Sequence, residues 1–251
     1  SQEAVDNGLQ VTKVADFKNT VSIFEKAFHE QGLDEAWNQV IAFVVQPGVE
    51  EKDAGCTAYD RAKARELMAS IKEYPRFVFE GHSTDYQTKE HLRQLVEDGV
   101  GILKVGPGLT YAMREGLFAL AYAEKEVYKD QPERQSRFME VLDQAMLADP
   151  KYFQKHYHGS EAEIAYKRKF SFSDRCRYYL PVPKVAEAQK RLFENFKDGV
   201  PLGVLSQFMP IAYTKVREGR LANNPFDLVK DRVIYTIDEY LYGSHQQEIN
   251  F

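Results

Sequence analysis

The run Arg76–Thr110, RFVFEGHSTDYQTKEHLRQLVEDGVGILKVGPGLT, decides how the rest of the chain is read. It spells a strand, a loop, a helix, a second strand, a glycine turn and the start of another helix. Phe77–Gly81 is short, aromatic and β-branched, as strands are. Side chains alternate across a strand, so Val78, Glu80 and His82 share one face and Phe77, Phe79 and Gly81 the other. Thr88 stands where an N-cap belongs, before a helix that ends at Asp98. Gly101–Val105 is the next strand, with Ile102, Lys104 and Gly106 on one face. Two strands joined by a helix in this order make a right-handed βαβ unit. Polar groups at the strand ends and a glycine turn at a helix N-terminus form the usual site for an anion.

Working outward, Val40–Gln46 is apolar on both faces, as a buried parallel strand is, and Pro47-Gly48 stops it. Val14, Phe17, Val21, Phe24 and Phe28 fall on one stripe and predict a helix over Val14–His29. The polar stretch Ser1–Gln10 before it reads as loop. Tyr59–Tyr74 and Leu109–Lys129 read as further helices. Strands alternating with helices predict a parallel sheet with helices outside. Three strands with apolar faces do not bury themselves, and the first helix lacks a preceding strand. The α/β chain therefore reads as the later part of a larger barrel; a small three-stranded layer covered by the C-terminal helices is the alternative. After Gln131 the strands stop. Helices are expected over Arg134–Leu147, from Asp149-Pro150, over Ile164–Arg177 and Val185–Phe196, in two pieces broken at Pro210, and over Phe226–Tyr242. Residues 1–130 thus read as the last part of a β/α barrel, and residues 131–251 as a helical extension packed on it.

The chain has 251 residues, 43% hydrophobic and 28% charged, with a formal net charge of −5. With no basic block or acidic tail, composition gives no reason to propose nucleic acid or an anionic membrane as partner. Cys56 and Cys176 make neither a disulfide framework nor a four-thiolate metal site, and a reducing cytosol is the simplest reading. The longest apolar run, Val40–Val45, is far too short to span a bilayer, and no signal peptide precedes it. The chain opens on Ser1, so the native start is expected upstream.

Ligands bind at the carboxyl ends of the strands in sheets of this kind. Gln46, Glu80, His82 and Lys104 gather there. Glu80 and Lys104, on neighbouring strands, are expected to pair, either as a structural ion pair or as an acid–base set with His82. Ser83, Thr84 and Asp85 are loop donors to a ligand or caps of the following helix. The turn Gly106–Thr110 matches neither the Walker A nor the dinucleotide pattern. Its position suits a phosphate held by Gly106, Gly108 and Thr110, with the helix dipole helping. Arg175 and Arg177 lie among aromatics in Phe170–Pro181, where guanidinium forks would close over a sugar phosphate; an aromatic-packed helix is the alternative. His82 alone makes no metal site, and no metal is expected in this chain. Nucleophile-elbow, HExxH, P-loop and kinase signatures are absent from the sequence.

VVQPGVE (Val44–Glu50), EGHSTDYQT (Glu80–Thr88), ILKVGPGLTYAMREGLFALA (Ile102–Ala121), SDRCRYYLP (Ser173–Pro181) and PLGVLSQFMP (Pro201–Pro210) together resemble the non-catalytic Z subunit of D-tagatose-1,6-bisphosphate aldolase. The resemblance implies a TIM barrel of which this chain carries the sixth, seventh and eighth strands and lacks the first half. It implies a cytoplasmic protein that supports the stability and activity of a class II catalytic subunit in galactitol and N-acetylgalactosamine catabolism. Little aldolase activity is expected alone, and zinc is expected in the partner, with no cofactor here. Class II catalytic subunits carry a zinc-ligand histidine in a His-Gly-x-Ser-Gly pattern. Here Glu80-Gly81-His82-Ser83 is similar but shifted, and Thr84 replaces the final glycine. The rival reading is an independent sugar-phosphate aldolase or isomerase using Glu80, His82 and Lys104; a third is an assembly scaffold with an inert pocket. A barrel cut at its fifth strand leaves an open sheet edge, so self-association is also expected.

Overall fold

The apolar segments read as strands pair in parallel, in the order β1 (Ala42–Val45), β4 (Val78–Gly81), β5 (Val100–Leu103), in a computed structural model that describes residues 9–249. The stretch before Leu9 lies outside the described residues. Ala42 stands opposite Val78 and Val44 opposite Glu80; Glu80 in turn stands opposite Ile102. A short antiparallel pair, β2 (Glu50–Glu51) and β3 (Cys56–Thr57), follows β1. Two residues per strand carry no alternation, and the sequence reading contained no such pair.

The sheet is two-faced. Phe43, Val45, Phe79 and Val100 point into a core with Phe17 and Val21 of α1 (Val14–Glu30), Leu67 and Met68 of α3 (Arg65–Ser70), and Leu92 and Leu95 of α4 (Lys89–Glu97). Rings meet edge to face through this core, with Phe17 4.9 Å from Phe79 and Phe43 5.0 Å from Phe77. Trp37, in the short α2 (Asp34–Trp37), extends the cluster to Phe77. Burying each such side chain stabilises the fold by about 1.5–3 kcal/mol. The other face is bare. Val44 is 57% exposed, Val78 37% and Ile102 36%.

The chain divides into two compact units. One holds residues up to Gly106 together with those from Asp238 on; the other is Pro107–Ile237. The second unit has no strand among the described residues. Its core gathers Leu117 and Leu120 of α5 (Gly108–Val127), Leu142 and Met146 of α6 (Phe138–Ala148), and Val185 and Leu192 of α8 (Pro183–Asn195). Leu205 of α9 (Leu202–Phe208), Ala212 of α10 (Pro210–Arg217) and Leu228 of α11 (Pro225–Gly243) complete it. The boundary read from where the strands stop, after residue 130, lies beyond α5; by packing, α5 groups with the helices that follow it.

Three helices are shorter than their periodicity suggests, each for a local reason. The segment from Tyr59 turns before it becomes α3, because the Tyr59 amide donates to Gln87 and Asp60 accepts from the amides of Ala62 and Lys63. Such side-chain bonds compete with the helix. α6 starts at Phe138 rather than Arg134, because the buried Glu124 carboxylate takes both the amide and hydroxyl of Ser136. α7 (Glu161–Phe170) opens with a capping box, Ser160 and Glu163, and stops at Ser171, which is extended. The break at Pro210 separates α9 from α10 as expected, and Thr88 caps α4 by accepting from the His91 amide.

Candidate functional site at the strand ends

In the sheet-bearing unit, the carboxyl ends of the strands carry most of the residues singled out in the sequence. Gln46 turns back on its own chain. Its Oε1 accepts from the amides of Gly48 and Val49 at 2.7 and 2.9 Å, which closes the Pro47-Gly48 turn. Gly48 sits at φ 91, a conformation glycine adopts without strain.

After β4 the chain makes a tight, strained loop, with Ser83 at φ 56 and Tyr86 at φ 64. Non-glycine residues rarely adopt this region. Buried polar contacts hold the loop there. The fully buried Thr84 donates from Oγ1 to the Lys104 carbonyl at 2.8 Å. Its own carbonyl accepts from the Tyr240 hydroxyl at 3.1 Å. The Asp85 carboxylate, 1% exposed, accepts the Gly106 amide through both oxygens. Gln87, also buried, spans from Tyr59 to the Thr57 carbonyl. Burial pushes the Tyr240 phenol above its usual range, so it stays a protonated donor.

Two expectations are corrected here. The Gly106 amide was assigned to a phosphate, and it is occupied by Asp85. Glu80 and Lys104 were expected to pair, and among the described residues they do not. β5 ends at Leu103, one turn of the pleat earlier than expected, which leaves the Lys104 side chain in solvent. Glu80 instead meets His82, Oε1 to Nε2 at 2.7 Å, with 27% and 38% of the two side chains exposed. The pleat places residues 80 and 82 on one side of the strand. The dyad lies on the bare face, beside Val44 and Ile102. It is a carboxylate–imidazole pair open to solvent, able to hold and pass a proton.

The remaining candidates lie in the helical unit. Thr110 Oγ1 donates to the Pro107 carbonyl at 3.0 Å and, more weakly, to Asp174 at 3.4 Å. Gly108 is buried at the first turn of α5. Arg175 meets His156 at 3.2 Å and Arg177 meets the Tyr178 hydroxyl at 3.0 Å. Asp174 is buried and accepts from the Cys176 amide and thiol. Burial, with Asp174 beside it, pushes the Cys176 thiol well above its usual range and keeps it unreactive.

Sequence reasoning passed over Arg114. It lies inside α5 and is 2% exposed, with its guanidinium 4.1 Å from the Tyr111 ring and 5.0 Å from that of Phe118. An arginine in an amphipathic run reads as solvated, and only the packed rings around it reveal a buried cation. Among the described residues no three His, Cys, Asp or Glu side chains group as a metal ion requires. Among the same residues, no helix is long and apolar enough to cross a membrane.

A family model described as D-tagatose-1,6-bisphosphate aldolase subunit GatZ/KbaZ-like matches residues 1–245. The D-tagatose-1,6-bisphosphate aldolase subunit GatZ of Salmonella enteritidis PT4 is 43% identical over 94% of this chain and 56% of its own length. That of Salmonella paratyphi B is 42% identical over 94% of this chain and 55% of its own. The chain therefore spans about half the length of the curated relatives it matches. The crystal structure of a probable tagatose 6 phosphate kinase from Sinorhizobium meliloti 1021 superposes with a TM-score of 0.87 at 41% identity, over 94% of this chain and 61% of that one. With the family model covering nearly its whole length, this chain belongs to the GatZ/KbaZ-like family of D-tagatose-1,6-bisphosphate aldolase subunits.

Proposed function

We propose that the protein is the supporting, non-catalytic subunit of a D-tagatose-1,6-bisphosphate aldolase. It stabilises a zinc-dependent catalytic subunit in the cytoplasm and sustains that subunit's activity in galactitol and N-acetylgalactosamine catabolism. The use of the strand-end polar groups supports this reading. Gln46 closes its own turn, Asp85 holds Gly106, and Thr84 holds Lys104 and Tyr240. These bonds hold the loops to one another, and among the described residues Ser83, Lys104 and the Glu80–His82 pair remain as groups that could meet a sugar phosphate.

The three parallel strands are the last three of a β/α barrel on this reading. The bare face of Val44, Val78 and Ile102 supports it, because an apolar sheet face in a finished fold is covered. The Glu80–His82 pair favours one rival, an independent sugar-phosphate aldolase or isomerase that moves a proton at the barrel mouth.

An aldol-cleavage assay on tagatose 1,6-bisphosphate decides between them, run with the full-length protein alone, with the catalytic subunit alone, and with both. The expected result is no turnover by this protein alone and higher, longer-lived activity in the mixture. Turnover by this protein alone would overturn the non-catalytic reading.

A further inference from the structure

A cleft of 780 Å³ opens in the helical unit, lined by none of the residues assigned above to the strand ends. One wall is a single face of α6, residues 137, 141, 144, 145 and 148, at helical spacing. The other runs from Lys151 and Tyr152 to Tyr178 and Lys184. Small side chains, Val141, Ala145 and Val182, leave the space between the walls unfilled. The volume is that of a small-molecule site.

The charges lining it do not balance. Glu140 is committed to Lys125 at 3.4 Å, and Asp149 to Lys151 at 2.8 Å. Arg137 and Lys184 have no counter-ion among the described residues. Both also stand where a cation opposes the helix dipole. Arg137 is the residue before α6 and Lys184 the second residue of α8, and neither helix start has a side-chain cap. Helix starts favour acidic residues, so two unpaired cations at two such starts go against local stability. Both are exposed and line the same cleft, and an anion that reached both would offset the two charges.

The aromatic wall adds an organic component. Tyr152 and Tyr178 stack at 5.0 Å, each about two-fifths exposed. Arg177 donates to the Tyr178 hydroxyl at 3.0 Å, which fixes the ring's position at this end of the cleft. Ring edges and the aliphatic floor would shield a carbon skeleton, while inorganic anions would gain nothing from them.

We propose that this cleft binds a small organic phosphate, its phosphate monoester between Arg137 and Lys184 and its carbon framework against Tyr152, Tyr178 and Val141. Calorimetric titration of the full-length protein with fructose 6-phosphate, AMP, inorganic phosphate and sulfate tests it. At least one organic phosphate should bind saturably, about tenfold tighter than either inorganic anion. Arg137→Ala, Lys184→Ala and Tyr178→Ala should each weaken that binding by about tenfold, as loss of a charge-assisted contact or of ring contact does, while Lys72→Ala leaves it unchanged. A preference for either organic ligand supports the site and assigns its framework as a sugar or a base. All three cleft residues are exposed or partly so, and unchanged melting temperatures would show that the variants remain folded. No binding at millimolar concentration, equal binding of sulfate and organic phosphate, or affinity indifferent to Arg137→Ala and Lys184→Ala would each overturn the proposal.

Discussion

Asp85 grips the backbone of Gly106 through both carboxylate oxygens, at 2.9 and 3.0 Å, across a separation of 21 residues. The loop after β4 is thereby tied to the loop after β5. Asp85→Ala would leave a backbone donor without an acceptor, at a cost of about 1.5–3 kcal/mol. Urea unfolding should show that loss, and Asp85→Asn, which retains one acceptor oxygen, should show less. Full stability in the alanine variant would mean the two loops are held by other contacts.

Tyr240 is the second tie. Its hydroxyl donates to the Thr84 carbonyl and lies 3.2 Å from the Thr84 hydroxyl. Tyr240→Phe keeps the ring and removes those bonds, for an expected loss of about 1–2 kcal/mol. Hydrogen exchange should quicken at the last turn of α11 and in residues 83–87. Exchange unchanged in the loop would separate the helix end from it.

The Glu80–His82 pair is half in solvent, and its worth to stability is small. Glu80→Gln and His82→Asn should each shift unfolding by no more than about 1 kcal/mol. On the supporting-subunit reading, turnover of the mixed complex stays within about twofold of the unchanged protein's, whereas a general acid–base role would lower it by about 10²–10⁴. The kinetic measurement therefore discriminates where the melting curve does not.

His29 supplies a pH test. Its Nδ1 lies 2.8 Å from Asp34, and that hydrogen bond, followed by the charge of Asp34, raises the imidazole pKa. The folded pKa exceeds the unfolded one, so the stabilisation is fully present below a pH of about 6.5 and is lost as pH rises through the folded value. The melting difference between the unchanged protein and His29→Gln should thus be largest near pH 5.5 and vanish by about pH 9. A difference independent of pH would show that the pair does not form in solution.

The parallel sheet and the Thr88 cap were legible because each rests on a short-range pattern: strands alternating with helices, and a hydroxyl one residue before a helix. Asp85 misled for the same reason. An acidic residue just ahead of a helix reads as a cap, and nothing local announces that its acceptor oxygens serve Gly106. Gln46 stands among the strand-end groups read as facing a ligand, yet its side chain accepts from amides two and three residues onward. Arg114 was invisible because its ring partners, Phe118 one turn along and Phe170 far along the chain, are joined by packing alone. The Glu80–Lys104 expectation failed because β5 ends at Leu103, two residues before the expected Val105, and strand ends are the hardest boundaries to read.

The bare face of the sheet is graded along its length. Ala42 and Val78 form one row, Val44, Glu80 and Ile102 the next, and Lys104 lies beyond. A layer laid over this face would dry the amino end and leave the carboxyl end wet. The local dielectric would then rise along the strands, and Glu80–His82 would stand on the gradient between the dry and wet ends. Its hydrogen bond strengthens as water is excluded. Solvent exchange of the His82 ring proton is therefore a gauge of coverage, fast where the sheet is open and slow where something sits upon it.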